Sequence, residues 1–563
     1  MKHLFTTLAG LGVAALVLAT APTAATAGSP WSASVPFTNV VASTPTTGAG
    51  YPVPAGSRVP EAGTCRAGPF DANHSESWLA VKPGTEDLVG TSKFFFDKYS
   101  TFYMFYNGAY QILGGVPSGD NQVQGYDCVS TGTQDMPPSW TNTTDPNTDF
   151  DTKGRVYQTM LPYNSFFDAT KLHPDGEIDI SYSDDMGRHW LKGNGGVPLE
   201  PPNNASAKQA GHVEDKQWVA VNHIPGNEFQ DHVYAAWAVF NGSSAGGGVK
   251  VRMAVSRDRG QTFDKAVTIT PPSEVGAGAT FVYPEIDAVG DVYVSVVSFP
   301  PANKKSSTIW VARSTDDART FGPFVPITTV TIPPGEVYPN TRFRSGILEN
   351  FAASPTYAGH LYLTYEDWDE VAGQSDVKFT QSTDGGQHWS TSAVVNDNVD
   401  PPGTPPTDQF QPSVAAGPNG AVAVAFYDRR AACPNDPSVL PADIGRTNFC
   451  IDTSLQAYKD TGSGAVTVGG NVRISQFTWD PEQPGQHLGG LSQYPCAGAR
   501  DPCPNGRGFI GDYFGLAVSV NNVYALTVST HYPSDATADE GSPIYYQQQV
   551  LATVPRSGFG AGY

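Results

Sequence analysis

An eight-residue pattern, Ser-x-Asp-x-Gly-x-x-aromatic, recurs four times in this chain of 563 residues. The copies are Ser183–Trp190, Ser256–Phe263, Ser314–Phe321 and Ser382–Trp389. Each residue type suits a tight turn between two strands, because Ser and Asp side chains accept hydrogen bonds from backbone N–H groups and Gly adopts a left-handed conformation. The closing aromatic ring can be buried between neighbouring sheets. Four such hairpins predict four similar sheets.

The spacing of the copies indicates the architecture. They start at residues 183, 256, 314 and 382, and each step has room for one four-stranded antiparallel sheet with its loops. We therefore predict an all-β chain, a six- or seven-bladed β-propeller of four-stranded antiparallel blades. The 59 glycines, the 47 prolines and a charged fraction of only 15% suit short strands joined by turns. The third copy has Ala318 where the others have Gly, and positive φ at Ala would cost on the order of 1 kcal/mol. We expect that hairpin to be strained or differently turned.

Seven short segments, each with polar or charged residues before an apolar strand, mark the units of the predicted propeller. They lie at Glu76, 149–151, 214–216, 283–287, 342–344, 408–411 and 511–513. The innermost strand of each blade surrounds the central channel, so the residues that open these strands are expected to converge at one end of it. A functional group is most expected there.

The N-terminus predicts secretion. Met1-Lys2-His3 precedes an apolar run from Leu4 to Ala21 and then small residues up to Ala27, which is typical of a secretory signal peptide. We assign 1–27 to the signal peptide, 28–69 to an irregular Pro/Gly/Ser-rich lead-in, and 70–563 to a single propeller domain. The mature protein is expected to be extracellular.

Six cysteines in a secreted chain predict three disulfides. Closeness in sequence suggests Cys433 with Cys450 and Cys496 with Cys503, which leaves Cys65 with Cys128. The spacings do not resemble a zinc site.

The net charge of −21 disfavours nucleic acid and anionic membrane surfaces as partners. The charge says little about a neutral glycan, and we expect no membrane insertion and a monomer. No cofactor or metal is expected. The alternative is calcium at 145–151, where oxygen-bearing side chains alternate, although the segment lacks the glycine of an EF-type loop.

The four octapeptides resemble the Asp-boxes, or BNR repeats, of the sialidase-like superfamily of β-propellers. The resemblance implies that the boxes lie at the blade periphery, away from the substrate face, and are structural. Sialidases have six blades, so the blade count bears on how far the resemblance extends.

The resemblance also implies a site. Sialidases hold the substrate carboxylate with three arginines, and they use a tyrosine nucleophile activated by a glutamate together with an aspartate as acid/base. In chain order, the matching candidates are Arg58 in a poor match at 57–60, Glu285, Arg344, Arg429 and Tyr513, with Asp71 or Asp215 as the acid/base.

The resemblance therefore implies a sialidase-like glycoside hydrolase that acts on glycans, with a glycan or glycoconjugate as its partner. Among enzymes, the alternative is another glycosidase or a polysaccharide lyase that uses two carboxylates from different strand-opening segments. A non-catalytic propeller that binds glycan or protein is the alternative from another class. An enzyme should have a deep pocket with a carboxylate of raised pKa, and a binding module a shallow aromatic face.

Overall fold

A computed structural model gives the architecture of the chain. It describes residues 30–44, 46–47, 51–52, 65–66, 69–70, 73–95, 105–122, 142–163, 177–201, 213–240, 249–271, 275, 279–298, 306–336, 338–341, 343, 345, 349–400, 402–482, 510–533, 543 and 545–563. Within this part, seven antiparallel sheets form a seven-bladed β-propeller. The sequence left six or seven blades open, and the structure has one blade more than the resemblance to sialidases implies.

The strands of each blade follow one another from the channel outward. Blade 1 comprises Asn73–Val81, Leu88–Phe95, Phe105–Leu113 and Val116–Gln122; blade 2 comprises Asn142–Thr144 with Asp149–Phe150, Val156–Tyr163, Asp179–Ser183 and Leu191–Lys192; blade 3 comprises Val213–Val221, Val233–Phe240, Val249–Ser256 and Val267–Thr268; blade 4 comprises Ala279–Ile286, Val292–Ser298, Ser306–Ser314 and Val325–Thr331.

Blades 5 to 7 repeat the order. Blade 5 comprises Glu349–Ala353, Leu361–Asp369, Gln374–Ser382 and Ala393–Val394; blade 6 comprises Gln409–Ala416, Ala421–Asp428, Asp452–Asp460 and Ala465–Arg473; blade 7 comprises Gly515–Val518, Asn522–Ser529, Gln548–Pro555 and Thr38–Val41. Two-stranded pairs join Thr46–Thr47 to Pro69–Phe70 and Tyr51–Pro52 to Cys65–Arg66. Short 3-10 turns cover Asn194–Gly196, Pro334–Glu336, Pro418–Gly420 and Arg556–Phe559.

The propeller is a closed ring. Each innermost strand contacts the innermost strands of the two neighbouring blades, and Gly515–Val518 of blade 7 contacts Asn73–Val81 of blade 1. Apolar side chains that alternate along the strands fill the spaces between blades, as in blade 4, where Val292 and Val294 are fully buried. The core is therefore a set of interblade layers arranged around the channel.

The outermost strand of blade 7 comes from the N-terminal part of the chain. Thr38–Val41 pairs antiparallel with Gln548–Pro555. The propeller thus begins inside the segment for which the sequence predicted an irregular lead-in. Just before this strand, Trp31 donates from Nε1 to Ser454 Oγ of blade 6 at 2.7 Å, so the segment crosses the seam between blades 6 and 7.

The four octapeptides form the same turn, between the third and fourth strands of blades 2 to 5. In each, the Ser Oγ accepts a hydrogen bond from the backbone N–H of the residue four positions later, at 2.8 to 3.0 Å. Ala318 adopts this turn with φ of 55°, so the third hairpin carries a left-handed alanine and is not differently turned. The turns lie at the end of the blades opposite to the one where the innermost strands begin, because the strands alternate in direction.

The aromatic rings that close the octapeptides are not equally buried. Trp190 is 1% exposed, and its Nε1 donates to Gly187 O at 3.0 Å. Trp389 makes the matching bond to Gly386 O at 3.2 Å but is only partly buried. Trp389 therefore packs against an interblade cluster as predicted for this ring but is only partly buried, whereas Trp190 is fully enclosed.

One of the three expected disulfides lies among the described residues. Cys433 and Cys450 are bonded, with their Cα atoms 5.2 Å apart, and they close the loop between the second and third strands of blade 6. The side chains of Cys65, Cys128, Cys496 and Cys503 lie outside the described part. In that part, no helix has the length and apolar character needed to cross a membrane.

Candidate active site at the channel mouth

The innermost strands of four blades carry the same irregularity near their first residues. The pairing register shifts between Ser75 and Trp78 in blade 1 and between Asp215 and Trp218 in blade 3, and blades 4 and 6 shift at equivalent points. The extra residue has positive φ in each blade: Glu76 48°, Lys216 50°, Phe281 52° and Gln411 44°. Such β-bulges redirect side chains, and left-handed non-glycine residues are strained positions that cluster at functional sites. The equivalent positions of blades 2 and 7, Asp145 and Gly511, also have positive φ.

The bulges place charged side chains in contact around the mouth of the channel. Lys216 Nζ of blade 3 lies 3.0 Å from Asp512 Oδ2 of blade 7 and 3.9 Å from Asp145 Oδ2 of blade 2. Blades 3 and 7 are not neighbours in the ring, so the Lys216–Asp512 ion pair spans the channel. Lys93 Nζ lies 2.5 Å from Glu76 Oε2, and both residues are buried.

Four aromatic residues lie two positions after the bulges, on the same side of their strands because side chains alternate with period two. Trp78, Trp218, Tyr283 and Tyr513 come from blades 1, 3, 4 and 7. The Trp78 and Trp218 rings are 4.6 Å apart edge to face, and the Trp218 ring is 4.8 Å from Tyr283 and 5.1 Å from Tyr513. The Lys216 ammonium lies 5.5 Å from the Tyr513 ring centroid. The charged mouth therefore rests on an aromatic cluster that fills the channel.

Asp145 and Asp215 form a carboxyl pair with opposite pKa shifts. Burial, and after it the charge of Asp145 and a hydrogen bond between the two side chains, raise the pKa of Asp215 to about 7. Burial favours a higher pKa for Asp145 as well, but the charges of Lys216 and Lys93 and a hydrogen bond from Thr144 hold its pKa below the ordinary value. Asp215 therefore binds a proton at a higher pH than Asp145 does. Two neighbouring carboxyls whose pKa values are separated in this way are suited to acid/base catalysis.

Glu76 is a second carboxyl of this site with a raised pKa. Its burial raises the pKa to about 7 against the opposing charges of Lys93 and Lys216. Titratable groups with shifted pKa values concentrate at functional sites, although structural ion pairs shift them too.

Tyr513 and Asp215, two of the residues predicted from sequence, come together at this mouth. The Tyr513 hydroxyl donates to Pro146 O at 3.1 Å. Burial, followed by the charges of Glu76 and Asp145, raises the pKa of Tyr513 well above its usual range. The phenol is therefore neutral and surrounded by carboxyl groups.

Glu285 occupies a different position. It lies two residues beyond Tyr283 on the innermost strand of blade 4 and accepts the backbone N–H of Ala353 in blade 5. Asp149 of blade 2 makes the matching contact, accepting Val221 N of blade 3 at 2.7 Å. Both side chains thus satisfy backbone N–H groups of the next blade. Burial, and after it the charge of Asp149, raise the pKa of Glu285. The tyrosine–glutamate hydrogen bond expected from the resemblance does not form.

Of the three predicted arginines, only Arg429 lies among the described residues; Arg58 and Arg344 lie outside them, as does Asp71. Arg429 is fully buried. Its guanidinium donates to Pro339 O at 2.9 Å, to Asp408 Oδ2 at 3.2 Å and to Asn448 O at 2.5 Å. These bonds tie the connection between blades 4 and 5 to two segments of blade 6, which suits a structural role better than binding a substrate carboxylate.

The segment considered for calcium starts at the mouth with Asp145 and runs to the opposite end of the blade, where Asp151 Oδ2 accepts Arg259 Nε of an octapeptide turn at 2.7 Å. Asp151 Oδ1 accepts the N–H groups of Lys153 and Arg155, both at 2.9 Å, and Asp149 and Asn147 bond to the strand of blade 3. Among the described residues, no group of three or more His, Cys, Asp or Glu side chains is arranged to hold a metal ion. Calcium at this segment stays a prediction.

The sequence contained a signal for the site that the prediction passed over. Glu76-Ser-Trp-Leu-Ala-Val81 and Lys216-Gln-Trp-Val-Ala-Val221 are copies of one pattern, with the bulge residue first and the tryptophan third. Trp78 and Trp218 were not singled out from sequence, although their shared place in this second repeat marks them as equivalent. In each copy the tryptophan lies two residues after a charged residue, so both tryptophans are predicted to lie on the same face of their strands.

No family model and no curated protein matches this chain. Among solved structures, it is similar to a Hadza microbial sialidase at 12% identity, covering 82% of this chain and 75% of that one with a TM-score of 0.40. It is also similar to an α-L-arabinanase of Penicillium chrysogenum, solved with arabinobiose. The identity is 13%, the match covers 73% of this chain and 92% of that one, and the TM-score is 0.36. An ulvan lyase, a polysaccharide lyase solved with a bound sugar fragment, matches at 10% identity. The match covers 76% of this chain and 97% of that one, with a TM-score of 0.40. Similarities this low do not bear on activity.

Proposed function

We propose that this chain is an extracellular carbohydrate-active enzyme that hydrolyses glycosidic bonds at the channel mouth. The observation that carries the proposal is the Asp145–Asp215 pair of hydrogen-bonded carboxyls at the mouth, in which the pKa of Asp215 is raised to about 7 and the pKa of Asp145 is lowered. A general acid with a pKa near the working pH is what glycosidic cleavage requires, since the departing sugar oxygen must gain a proton. The Cys433–Cys450 disulfide supports an oxidising, extracellular location.

In this proposal Asp215 donates its proton to the departing glycosidic oxygen as the bond to the anomeric carbon breaks. Asp512, whose Oδ2 lies 3.0 Å from Lys216 Nζ, accepts a proton from the water whose oxygen bonds to that carbon. Asp145 acts through Asp215, because its negative charge and hydrogen bond keep the acid protonated. The sugar ring would pack on the exposed part of Trp78, the least buried of the four clustered rings.

The finer version of the proposal is a sialidase-like reaction. Tyr513 would then attack the anomeric carbon, and a neighbouring carboxylate would take the phenolic proton. Its support is the position of Tyr513 at the mouth among Glu76, Asp145 and Asp512, which would fill the role that the resemblance gives to Glu285.

The test is turnover by the secreted protein against a fluorogenic sialoside and a panel of neutral glycosides. Asp215→Asn removes the acid and changes little volume, so it should lower kcat at least about a hundredfold, the usual contribution of general acid catalysis. Asp184→Asn is the matched control, because Asp184 is an exposed carboxylate paired with Arg155 on an outer hairpin. It should keep full activity.

Each other outcome identifies a different error. No turnover of any glycoside by the wild-type protein would favour a glycan- or protein-binding propeller over an enzyme. Turnover that survives Asp215→Asn would reject the assigned acid. Turnover of the sialoside that survives Tyr513→Phe would reject the tyrosine nucleophile, since that substitution removes a single hydroxyl.

A further inference from the structure

A buried threonine connects the carboxyl pair of the mouth to a lysine that the proposed reaction does not use. Thr144 is the last residue of strand Asn142–Thr144 in blade 2 and is 7% exposed. Its hydroxyl donates to Asp145 Oδ1 at 2.8 Å, and the hydroxyl oxygen accepts a hydrogen bond from Lys93 Nζ of blade 1 at 3.2 Å. The two hydrogen bonds run in one direction, from Lys93 through Thr144 to Asp145.

The neighbouring strands hold Thr144 in place. Its carbonyl oxygen accepts hydrogen bonds from Asn107 Nδ2 of blade 1 at 3.1 Å and from Gln217 Nε2 of blade 3 at 2.8 Å. Asn107 and Gln217 are fully buried. Thr144 also pairs with Leu161 on the next strand of its own blade. Because its backbone is fixed from three sides, the hydroxyl of Thr144 keeps its place beside Asp145.

Asp145 and Asp215 share one backbone donor. The N–H of Lys216 donates to Asp145 Oδ2 at 3.2 Å and to Asp215 Oδ1 at 3.0 Å. A donor that both carboxyls share in this way does little to decide which of them is ionised. The Thr144 hydroxyl differs, because it bonds to Asp145. A hydrogen bond donated to a carboxylate favours its ionised form, so this hydroxyl favours ionisation of Asp145 over that of Asp215.

Charged and titratable groups from three other blades also face Asp145. They belong to Glu76 and Lys93 of blade 1, Asp215 and Lys216 of blade 3, and Asp512 and Tyr513 of blade 7. Burial raises the pKa of both Asp145 and Asp215 and the charge of Lys216 lowers both, so neither effect by itself separates the two carboxyls.

Lys93 distinguishes the two carboxyls through Thr144. The Lys93 ammonium is buried and donates to the Thr144 hydroxyl, which in turn donates to Asp145. A hydroxyl that accepts a hydrogen bond from a cation is a stronger donor, because consecutive hydrogen bonds polarise one another. The chain from Lys93 therefore strengthens the bond that favours the ionised form of Asp145.

We propose that Thr144 is a positioning residue of the site. Its hydroxyl, polarised by Lys93, holds Asp145 in the ionised form, and the transferable proton of the pair is thereby kept on Asp215. The assignment rests on the proposed hydrolysis, in which Asp215 is the general acid, and it adds the group that decides which carboxyl holds the proton. Thr144 acts through Asp145 and takes no part in bond breaking.

Urea unfolding at pH values from 7 down to 3 tests the Thr144–Asp145 bond without any substrate. Thr144→Val replaces the hydroxyl by a methyl group of similar size. The pKa of Asp145 is lowered in the folded protein, where the two lysine charges and the Thr144 bond outweigh burial. The stability that this carboxylate contributes is therefore present above its unfolded pKa and is lost as pH falls. Thr144→Val should lower the folding constant about tenfold more at pH 7 than at pH 3, because the acceptor of the lost bond is charged only at the higher pH.

Thr148→Val is the matched control. Thr148 lies in the same blade, is 2% exposed, and donates from its hydroxyl to the neutral carbonyl oxygen of Tyr157 at 2.9 Å. The loss of stability in this variant should not change across the pH range. Thr144→Ser keeps a hydroxyl and should unfold like the wild type. The same pH dependence in both valine variants would overturn the assignment. If Thr144→Val fails to fold, Thr144→Ala and Thr148→Ala give the same comparison.

Turnover of the best glycoside of the panel separates this proposal from the hydrolase proposal. Thr144→Val should lower kcat about threefold or more and leave KM within about twofold, because the proton of the pair moves partly to Asp145 and the binding surface is unchanged. Thr144→Ser and Thr148→Val should keep the wild-type kcat. A wild-type protein without turnover would reject the hydrolase, and the unfolding measurements would still decide whether Thr144 holds Asp145 ionised. An unchanged kcat in Thr144→Val would overturn the positioning role.

Discussion

The ion pair across the channel offers the sharpest test of how the mouth is held together. Lys216 and Asp512 are both buried, and Lys216 also neutralises Asp145 at 3.9 Å. Met has nearly the length and volume of Lys, so Lys216→Met removes the charge with little loss of packing. Removal of one partner from a buried pair costs about 3–5 kcal/mol, because the remaining charge has no compensation. We expect that loss in the free energy of unfolding at pH 7.

Urea unfolding followed by tryptophan fluorescence, at pH 7 and pH 5, measures the effect. The loss in Lys216→Met should be smaller at pH 5, because carboxyl groups that lack a cation have raised pKa values and become neutral by protonation as pH falls. A raised carboxyl pKa in the folded state means that stability is lost as pH increases. The double variant Lys216→Met/Asp512→Asn should recover a large part of the loss, since it removes both members of the pair.

Lys153→Met is the control, because Lys153 is 61% exposed and lies 3.8 Å from Asp231. An exposed pair of this kind contributes about 0–1 kcal/mol. The reasoning is refuted if Lys216→Met unfolds like the wild type at both pH values. It is also refuted if the double variant is no more stable than Lys216→Met alone.

Two further outcomes follow from the structure. Asp215 must be protonated to act and has a pKa of about 7, so kcat should fall about tenfold between pH 6 and pH 8; a flat profile measured on the best glycoside of the panel would exclude Asp215 as the acid. Trp190→Ala should cost about 3–5 kcal/mol in unfolding free energy because that ring is 1% exposed. Trp389→Ala should cost clearly less in the same urea titration because its ring is partly exposed, and equal losses would contradict the difference in burial.

The propeller could be predicted because the sequence patterns that specify its hairpins are local. The octapeptides at 183, 256, 314 and 382 need only a turn of eight residues to identify a hairpin, and their repetition then predicts the sheets. The opening segments at Glu76, Asp215 and Tyr513 converge as expected, since the innermost strands meet around the channel.

The chemistry of the mouth was less predictable because its contacts join distant segments. Lys216 and Asp512 are 296 positions apart, and only the closed ring brings them within 3.0 Å. Glu285 illustrates a different limit: it sits on the same innermost strand as Tyr283, but two residues deeper, where its carboxylate bonds to the backbone of Ala353. The order of residues along the chain does not show whether a side chain lies at the mouth or farther along the channel. The pairing of Thr38–Val41 with the last strand is likewise a long-range event with no local pattern.

That closing strand has a consequence for how the protein is made. Thr38–Val41 precedes blades 1 to 6 along the chain, but its partner Gln548–Pro555 follows them. On the ribosome, six blades can assemble while this early strand has no sheet to join and keeps its backbone N–H and C=O groups unpaired. Docking of Trp31 against Ser454 requires only blade 6, so it can hold the early strand close to its place before blade 7 exists. Completion of the ring therefore has to wait for blade 7, and the nascent chain is most open to pairing with other chains just before that blade forms.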